Sequence, residues 1–204
     1  MSVLRTLSLI GVLIAMSAPS SIAQSSAGGP ARIVLGGGCF WCLEAVYEEV
    51  RGVSEAVSGY SGGSLANPSY KQVITGRTGH AEVVEIHYDP TVVSLDTLLD
   101  VYFSIHDPTT VDRQGNDVGP QYRSIAFYAS EEEKQAIDAA IARTAASGEY
   151  RGRIVTQVEP LVAFYPAEDY HQQYYELNGE QPYCSLVIAP KIAKFRKRFA
   201  ALLK

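Results

Sequence analysis

The stretch AEVVEIHYDP, residues 81–90, does most to fix what this chain can fold into. Its side chains alternate, with Val84, Ile86 and Tyr88 on one face and Val83, Glu85 and His87 on the other. A strand of this kind belongs in a sheet that helices cover, and the neighbouring segments supply them. WCLEAVYEEVRG, 41–52, spaces Leu43, Val46, Tyr47 and Val50 as one helical face and stops at Gly52. SLDTLLDVYFSIHDP, 94–108, aligns Leu95, Leu98, Leu99 and Tyr102 before Asp107-Pro108 ends it. SEEEKQAIDAAIARTAASG, 130–148, opens on Ser130 as N-cap, with Glu133 completing a capping box and Gly148 beyond the end. RIVLGGG (32–38), VSEAVSGY (53–60), RSIAFYA (123–129) and RIVTQVEP (153–160) read as further strands. AEDYHQQYYELN, 167–178, reads as helix, and GEQPYCSLVIAP, 179–190, as an irregular segment with room for a short strand. KIAKFRKRFAALLK closes the chain as a helix with Ile192, Phe195 and Phe199 inward. Strands and helices mix without strict βαβ alternation, so the expected class is α+β: a mostly antiparallel sheet with helices packed on it.

The 204 residues suit one domain plus extensions. MSVLR is cationic, the run to Ala18 is apolar, and SSIAQ offers small residues, the order of a secretory signal peptide cut after Ala23. Residues 24–30, QSSAGGP, then form a linker, and 31–204 the folded domain. The mature chain is expected to be exported, periplasmic or secreted. The apolar run is short for a membrane span, and no later segment is apolar enough, so no stable membrane association is expected after cleavage. A net charge of -5 argues against a nucleic-acid surface, which needs clustered Lys and Arg.

Export sharpens the meaning of three cysteines, Cys39, Cys42 and Cys184. An odd count in an oxidising compartment leaves a thiol unpaired or points to redox work. Cys39 lies in GGGCFWC, between a strand end and a helix start, where outward N–H groups favour a thiolate; a lowered pKa is expected there. The alternative is a buried structural cysteine. Phe40 and Trp41 are either core or an apolar wall beside the thiol, suited to a methyl next to sulfur. Glu82 shares the face of Val84, Ile86 and Tyr88, so it is either desolvated and held neutral or a strand-end residue reaching water. Tyr70 and Tyr122 end the turn-rich stretches NPSY and GNDVGPQY, as hydrogen-bond donors or as lids over the sheet. Cys39 and Cys42 have the spacing of a dithiol pair, which admits a thioredoxin-like oxidoreductase. His80, His87, His106 and His171 show no metal-ligand spacing with the cysteines, and no metal or cofactor is expected.

The elements GGCFW, GYSGG, NPSY, TGHAEVVEIHYDP, HDPTT, RQGNDVGPQYRS and DYHQQYY, in that order, resemble the A-type peptide methionine sulfoxide reductases over nearly all of the mature chain. The resemblance implies a two-layer sandwich with a ferredoxin-like core. It implies Cys39 as nucleophile, Phe40 and Trp41 as the methyl pocket, Glu82 as the acid that polarises the sulfoxide oxygen, and Tyr70, Asp117 and Tyr122 as supporting groups. It also implies reduction of the S epimer of methionine sulfoxide, protein-bound or free, through a Cys39 sulfenic acid and an intramolecular disulfide. A thioredoxin-like dithiol carrier would then regenerate the enzyme, expected to be monomeric. Cys184, flanked by Gly179 and Pro182 on a segment able to swing toward Cys39, is the expected resolving thiol, and Cys42 is expected to point with Leu43 and Val46 into packing.

Overall fold

A computed structural model describes residues 29–204. The expected signal peptide, 1–23, and most of the linker lie outside the described residues. β1 (Ala31–Gly36) leads into α1 (Phe40–Tyr47), followed by β2 (Val53–Ser61), α2 (Tyr70–Val73), β3 (Ala81–Tyr88) and α3 (Leu95–Ile105). A two-residue hairpin, β4 (Arg113–Gln114) and β5 (Asp117–Val118), precedes β6 (Ile125–Tyr128), α4 (Glu131–Ala146), β7 (Gln157–Pro160) and β8 (Phe164–Pro166). The chain closes with α5 (Tyr174–Leu177), a π-helical turn (Cys184–Ile188) and α6 (Ala189–Arg198).

Six strands form one sheet in the order β7-β6-β1-β3-β2-β8. All pairs are antiparallel except β6 with β7. The central four, β6-β1-β3-β2, are two interleaved split βαβ units, β1-α1-β2 around β3 and β3-α3-β6 around β1. This is a ferredoxin-like core. Registers Leu35↔Val84 and Tyr60↔Glu82 set β1 and β2 on either side of β3.

The period-2 pattern of β3 explains the two layers. Val84, Ile86 and Tyr88 join Ile33, Leu35 and the apolar sides of α1, α3 and α6 in the main core. Ala81 and Val83 face the opposite side with Val34, Ile125 and Phe127, where Leu161 and Phe164 cover them. Leu43, Val46 and Tyr47 are buried, as the helical spacing of α1 requires, each contributing on the order of 1.5–3 kcal/mol; α1 ends at Tyr47, short of the expected Gly52, and Val50 is buried in a bridge with Leu203. Ser130 caps α4 by accepting from the Glu133 N–H at 3.2 Å, while the Glu133 carboxylate accepts from the Ala129 N–H.

Three other expectations change. The helix expected over 167–178 is a 3₁₀ turn and the short α5, separated by Gln173 at φ +53°. The segment around Cys184 forms a π turn running into α6 rather than a strand. Strand pairing over 153–160 begins only at Gln157, because the partner β6 offers just four residues.

Candidate active site

The three glycines before Cys39 answer to close packing. A Cβ on Gly37 would stand 2.9 Å from His106 Cγ, and one on Gly38 2.6 Å from Gln114 Cγ. Gly38 also has φ +95°, which side chains rarely adopt. Tyr102 on α3 donates to the Gly36 carbonyl at 2.7 Å, and His106 bonds Ser124 Oγ at 2.8 Å, so α3 fixes the strand end. The chain then turns into α1 with Cys39 as its N-cap residue, 7% exposed.

Glu82 on β3 meets this turn from the sheet. It is 1% exposed, and its Oε2 accepts from the Phe40 N–H at 3.2 Å, beside Cys39. Burial pushes its carboxyl up to about 8, against the opposing pull of that N–H; Asp117 and Cys42 push further upward. The solvent-reaching alternative is thereby excluded: the acid is enclosed and neutral at pH 7.

Cys39 departs from expectation. Its pKa is raised, chiefly by burial, with Cys42 and Glu82 adding to the rise and the Tyr183 hydroxyl opposing it. The enclosed pocket outweighs the helix N-terminus, and the resting group is a thiol. The hydrogen bond from Cys39 instead lowers Cys42 to about 7, helped by the Lys191 ammonium. Cys42 is therefore buried, as a packing residue would be, but it also touches the Cys39 thiol. Cys184 is buried, with Cys42 among the groups acting on it. All three cysteines are free thiols.

Aromatic rings enclose the thiol. Phe40 lies 6.1 Å from Trp41, and Trp41 stacks on Tyr174 at 3.6 Å and 5°. Tyr183 meets Trp41 edge-on at 5.9 Å and donates to Asp117 Oδ2 at 2.8 Å. Tyr70 is raised to about 12 by burial, with Glu82 and Cys39 next among the causes. Tyr122 is raised by burial and then by the same carboxyl. Glu168 accepts from the Tyr70 N–H at 2.9 Å and from Tyr60 Oη at 3.0 Å, seating α2 against β2.

The structure thus brings Cys39, Phe40, Trp41, Tyr70, Glu82, Asp117 and Tyr122 into one neighbourhood at the start of α1. Sequence reading overlooked Tyr183, whose only signal was its place beside Cys184, and Tyr174, which carried none beyond a Tyr-rich run. His171 is 2% exposed but has no ring-nitrogen partner among the described residues. It packs instead among Phe40, Tyr70 and Tyr170, at 5.0, 4.4 and 4.2 Å, and burial lowers its pKa. Among the described residues no group of three or more His, Cys, Asp or Glu is arranged to hold a metal ion. No helix among them is long and apolar enough to cross a membrane.

Residues 31–203 match the family model described as peptide methionine sulfoxide reductase. The chain is 52% identical over 173 residues to the peptide methionine sulfoxide reductase MsrA of Chromobacterium violaceum, covering 85% of this chain and 98% of that protein. Among solved structures it is similar to reduced Mxr1 from Saccharomyces cerevisiae, with TM-score 0.70 and 32% identity over 78% of this chain and 94% of that one. It is also similar to Mxr1 in complex with Trx2, with TM-score 0.50 and 25% identity over 74% and 90% of the two chains.

Proposed function

Since the chain belongs to the peptide methionine sulfoxide reductase family, we propose that it reduces the S epimer of methionine sulfoxide, free or in oxidised proteins, with Cys39 as nucleophile and neutral Glu82 as acid. The observation that carries this reading is the enclosed Glu82 carboxyl meeting the helix turn of Cys39, its oxygen 3.2 Å from the Phe40 N–H. A sulfoxide is a poor electrophile until its oxygen is protonated or strongly hydrogen-bonded. Glu82 supplies that proton, and the Tyr70 and Tyr122 hydroxyls add donors in a cleft where water does not compete. The S-methyl group rests on Phe40 and Trp41, which selects the epimer. Asp117 acts by orienting Tyr183 rather than by transferring the proton.

Attack by the Cys39 sulfur moves oxygen from methionine sulfur to cysteine sulfur. Cys39 loses two electrons and becomes sulfenic acid, and methionine leaves; the Glu82 proton ends on the sulfenic oxygen, and the proton released by the Cys39 thiol restores the Glu82 carboxyl. Cys42 accepts the hydrogen bond of the Cys39 thiol and so lies beside the reacting sulfur. A second thiol then attacks the sulfenic sulfur, forming a disulfide and expelling water. Cys184 is the resolving residue that the family pattern suggests. The contact between the Cys39 and Cys42 thiols favours a second reading, in which Cys42 closes the first disulfide.

A thioredoxin-like dithiol carrier reduces the disulfide by exchange; what supports this is the similarity to Mxr1 bound to Trx2. A cationic, apolar, small-residue order at the N-terminus supports export to the periplasm or the medium with residues 1–23 removed, and the protein works as a monomer. The test is consumption of separated methionine sulfoxide epimers with dithiothreitol. Wild type should consume the S epimer alone, and Cys39→Ser neither; turnover by Cys39→Ser sinks the proposal. Peptide mapping after one turnover assigns the resolver: a Cys39–Cys42 disulfide formed at full rate in Cys184→Ser assigns it to Cys42.

A further inference from the structure

Glu44 lies one turn beyond Cys39 on α1 and is 1% exposed, yet no salt bridge joins it to Lys, Arg or His among the described residues. A buried carboxyl without a cation is costly unless hydrogen bonds satisfy it. Its partners are two backbone donors from far along the chain: Gln173 N–H to Oε1 at 3.0 Å and Tyr174 N–H to Oε2 at 3.4 Å. These are the entry to α5, where helix geometry leaves N–H groups without intrahelical acceptors. Gln173 holds φ +53°, a conformation that a non-glycine residue keeps only when its surroundings impose it. The next ring, Tyr174, lies flat on Trp41 at 3.6 Å.

We propose that Glu44 is a positioning residue for the substrate pocket: by binding the Gln173 and Tyr174 N–H groups it ties α5 to the nucleophile's helix and seats Tyr174 on Trp41, fixing the wall that receives the S-methyl group. The proposal rests on the reaction assigned above. Phe40, His171 and Tyr183 meet the Trp41 indole at 6.1, 5.5 and 5.9 Å, but the ring stacked flat on its face is Tyr174, from a four-residue helix too short to hold itself. The carboxylate is the element that couples the two. Burial raises Glu44 to about 7, with the two N–H groups and then the Ser58 hydroxyl opposing it and Glu48 on its own helix adding to the rise. Glu48, Glu49 and Glu176 also line the adjoining 310 Å³ cavity; Arg196 pairs with Glu49 at 2.6 Å but makes no bond to Glu44.

Trp41 is the only tryptophan in the chain, so its fluorescence reports the tie without reference to activity. Glu44→Gln keeps the volume but turns one acceptor into a donor aimed at an N–H. Acrylamide quenching of Trp41 should rise roughly two-fold as the indole face opens, and KM for a methionine sulfoxide peptide should rise about five- to ten-fold with kcat changed far less. Alkylation of Cys39 by iodoacetamide, which needs no methyl pocket, should stay within about two-fold of wild type. Tyr174→Leu, which keeps both N–H groups and removes the ring, should reproduce the KM rise. Wild-type quenching and KM in folded Glu44→Gln overturn the proposal, and so does a wild-type KM in Tyr174→Leu. If Glu44→Gln does not fold, amide exchange in the wild type decides. The Gln173 and Tyr174 N–H groups should exchange about 100-fold or more below random-coil rates, and unprotected exchange overturns the tie. Looser Trp41 in Glu44→Gln, together with no sulfoxide reduction by wild type, would keep the tie and reject the reaction.

Discussion

Glu82 shows how one side chain acquires a chemistry from its place. A carboxyl in water is ionised at pH 7; this one is enclosed by β3, α1 and the cleft, and burial carries it up to about 8. The neutral form is the one that donates. Activity should therefore hold across neutral pH and fall as pH rises past about 8, where the proton is lost. In single turnovers Glu82→Ala should lose about 10²–10⁴-fold, the usual worth of a positioned acid. Glu82→Gln keeps a hydrogen-bond donor, so it should lose less and should lack the alkaline limb. A wild-type profile that keeps rising through pH 9 would remove Glu82 from the role of acid. Strand parity in AEVVEIHY was enough to put this residue on the apolar face, because period-2 geometry is local. Parity was silent on exposure, since what covers a strand end comes from elsewhere in the chain. For the same reason the ionisation of Cys39 is not legible in the sequence: the helix start is visible in GGGCFWC, but the burial that outweighs it, with Cys42 and Glu82 adding to the rise, comes from the packed fold.

At the scale of elements, the site exists because two split βαβ units interleave. β1 must lie between β3 and β6, so that its C-terminal end delivers Cys39 next to the start of β3. Gly36 is hemmed in by both neighbouring strands. A Cβ there would stand 2.8 Å from the Glu82 carbonyl, 2.9 Å from Ile125 Cγ2 and 3.1 Å from Val83 Cγ1. Gly36→Ala should thus cost about 1–3 kcal/mol by overpacking, read as a shift in the urea midpoint. It should also slow sulfoxide reduction in the fully folded protein, because the strand that yields is the one carrying Glu82; a displacement near 1 Å can cost about 10²-fold. Full activity with lowered stability would show that the site tolerates the movement. Long amphipathic patterns predicted α3 and α4 and the inward Ile192 and Phe195 of α6, because their partners' details do not alter a 3.6-residue period. The stretch from Glu168 to Ile188 was harder. Two of its backbone donors, at Gln173 and Tyr174, are satisfied by Glu44 from another helix, so propensity alone does not set its shape.

The whole molecule bears the cost of keeping Glu82 neutral. In the unfolded chain this carboxyl ionises above roughly 4.5, while in the folded chain it holds its proton to about 8. Between those values the native state binds more protons than the unfolded one, so this residue's contribution to stability falls as pH rises. His106 acts the other way at lower pH: burial holds it neutral down to about 4, so its contribution grows as pH rises toward 6.5. Whole-protein melting curves therefore mix opposing slopes, and the Glu82 part is isolated by difference. Glu82→Gln cannot ionise in either state, and its amide oxygen can still accept the Phe40 N–H. It should melt near the wild-type temperature at pH 5 and pull progressively ahead up to pH 8, where the gap levels off. A gain on the order of 3 kcal/mol, or roughly 5–10 °C, is expected at pH 8. Calorimetry at constant ionic strength across pH 5–9 checks this. A gap that is flat with pH, or that shrinks as pH rises, would mean the carboxyl is solvated and already charged at pH 7. The variant that gains stability is then the one that loses its acid, as expected where a fold holds a destabilised group in place for its chemistry.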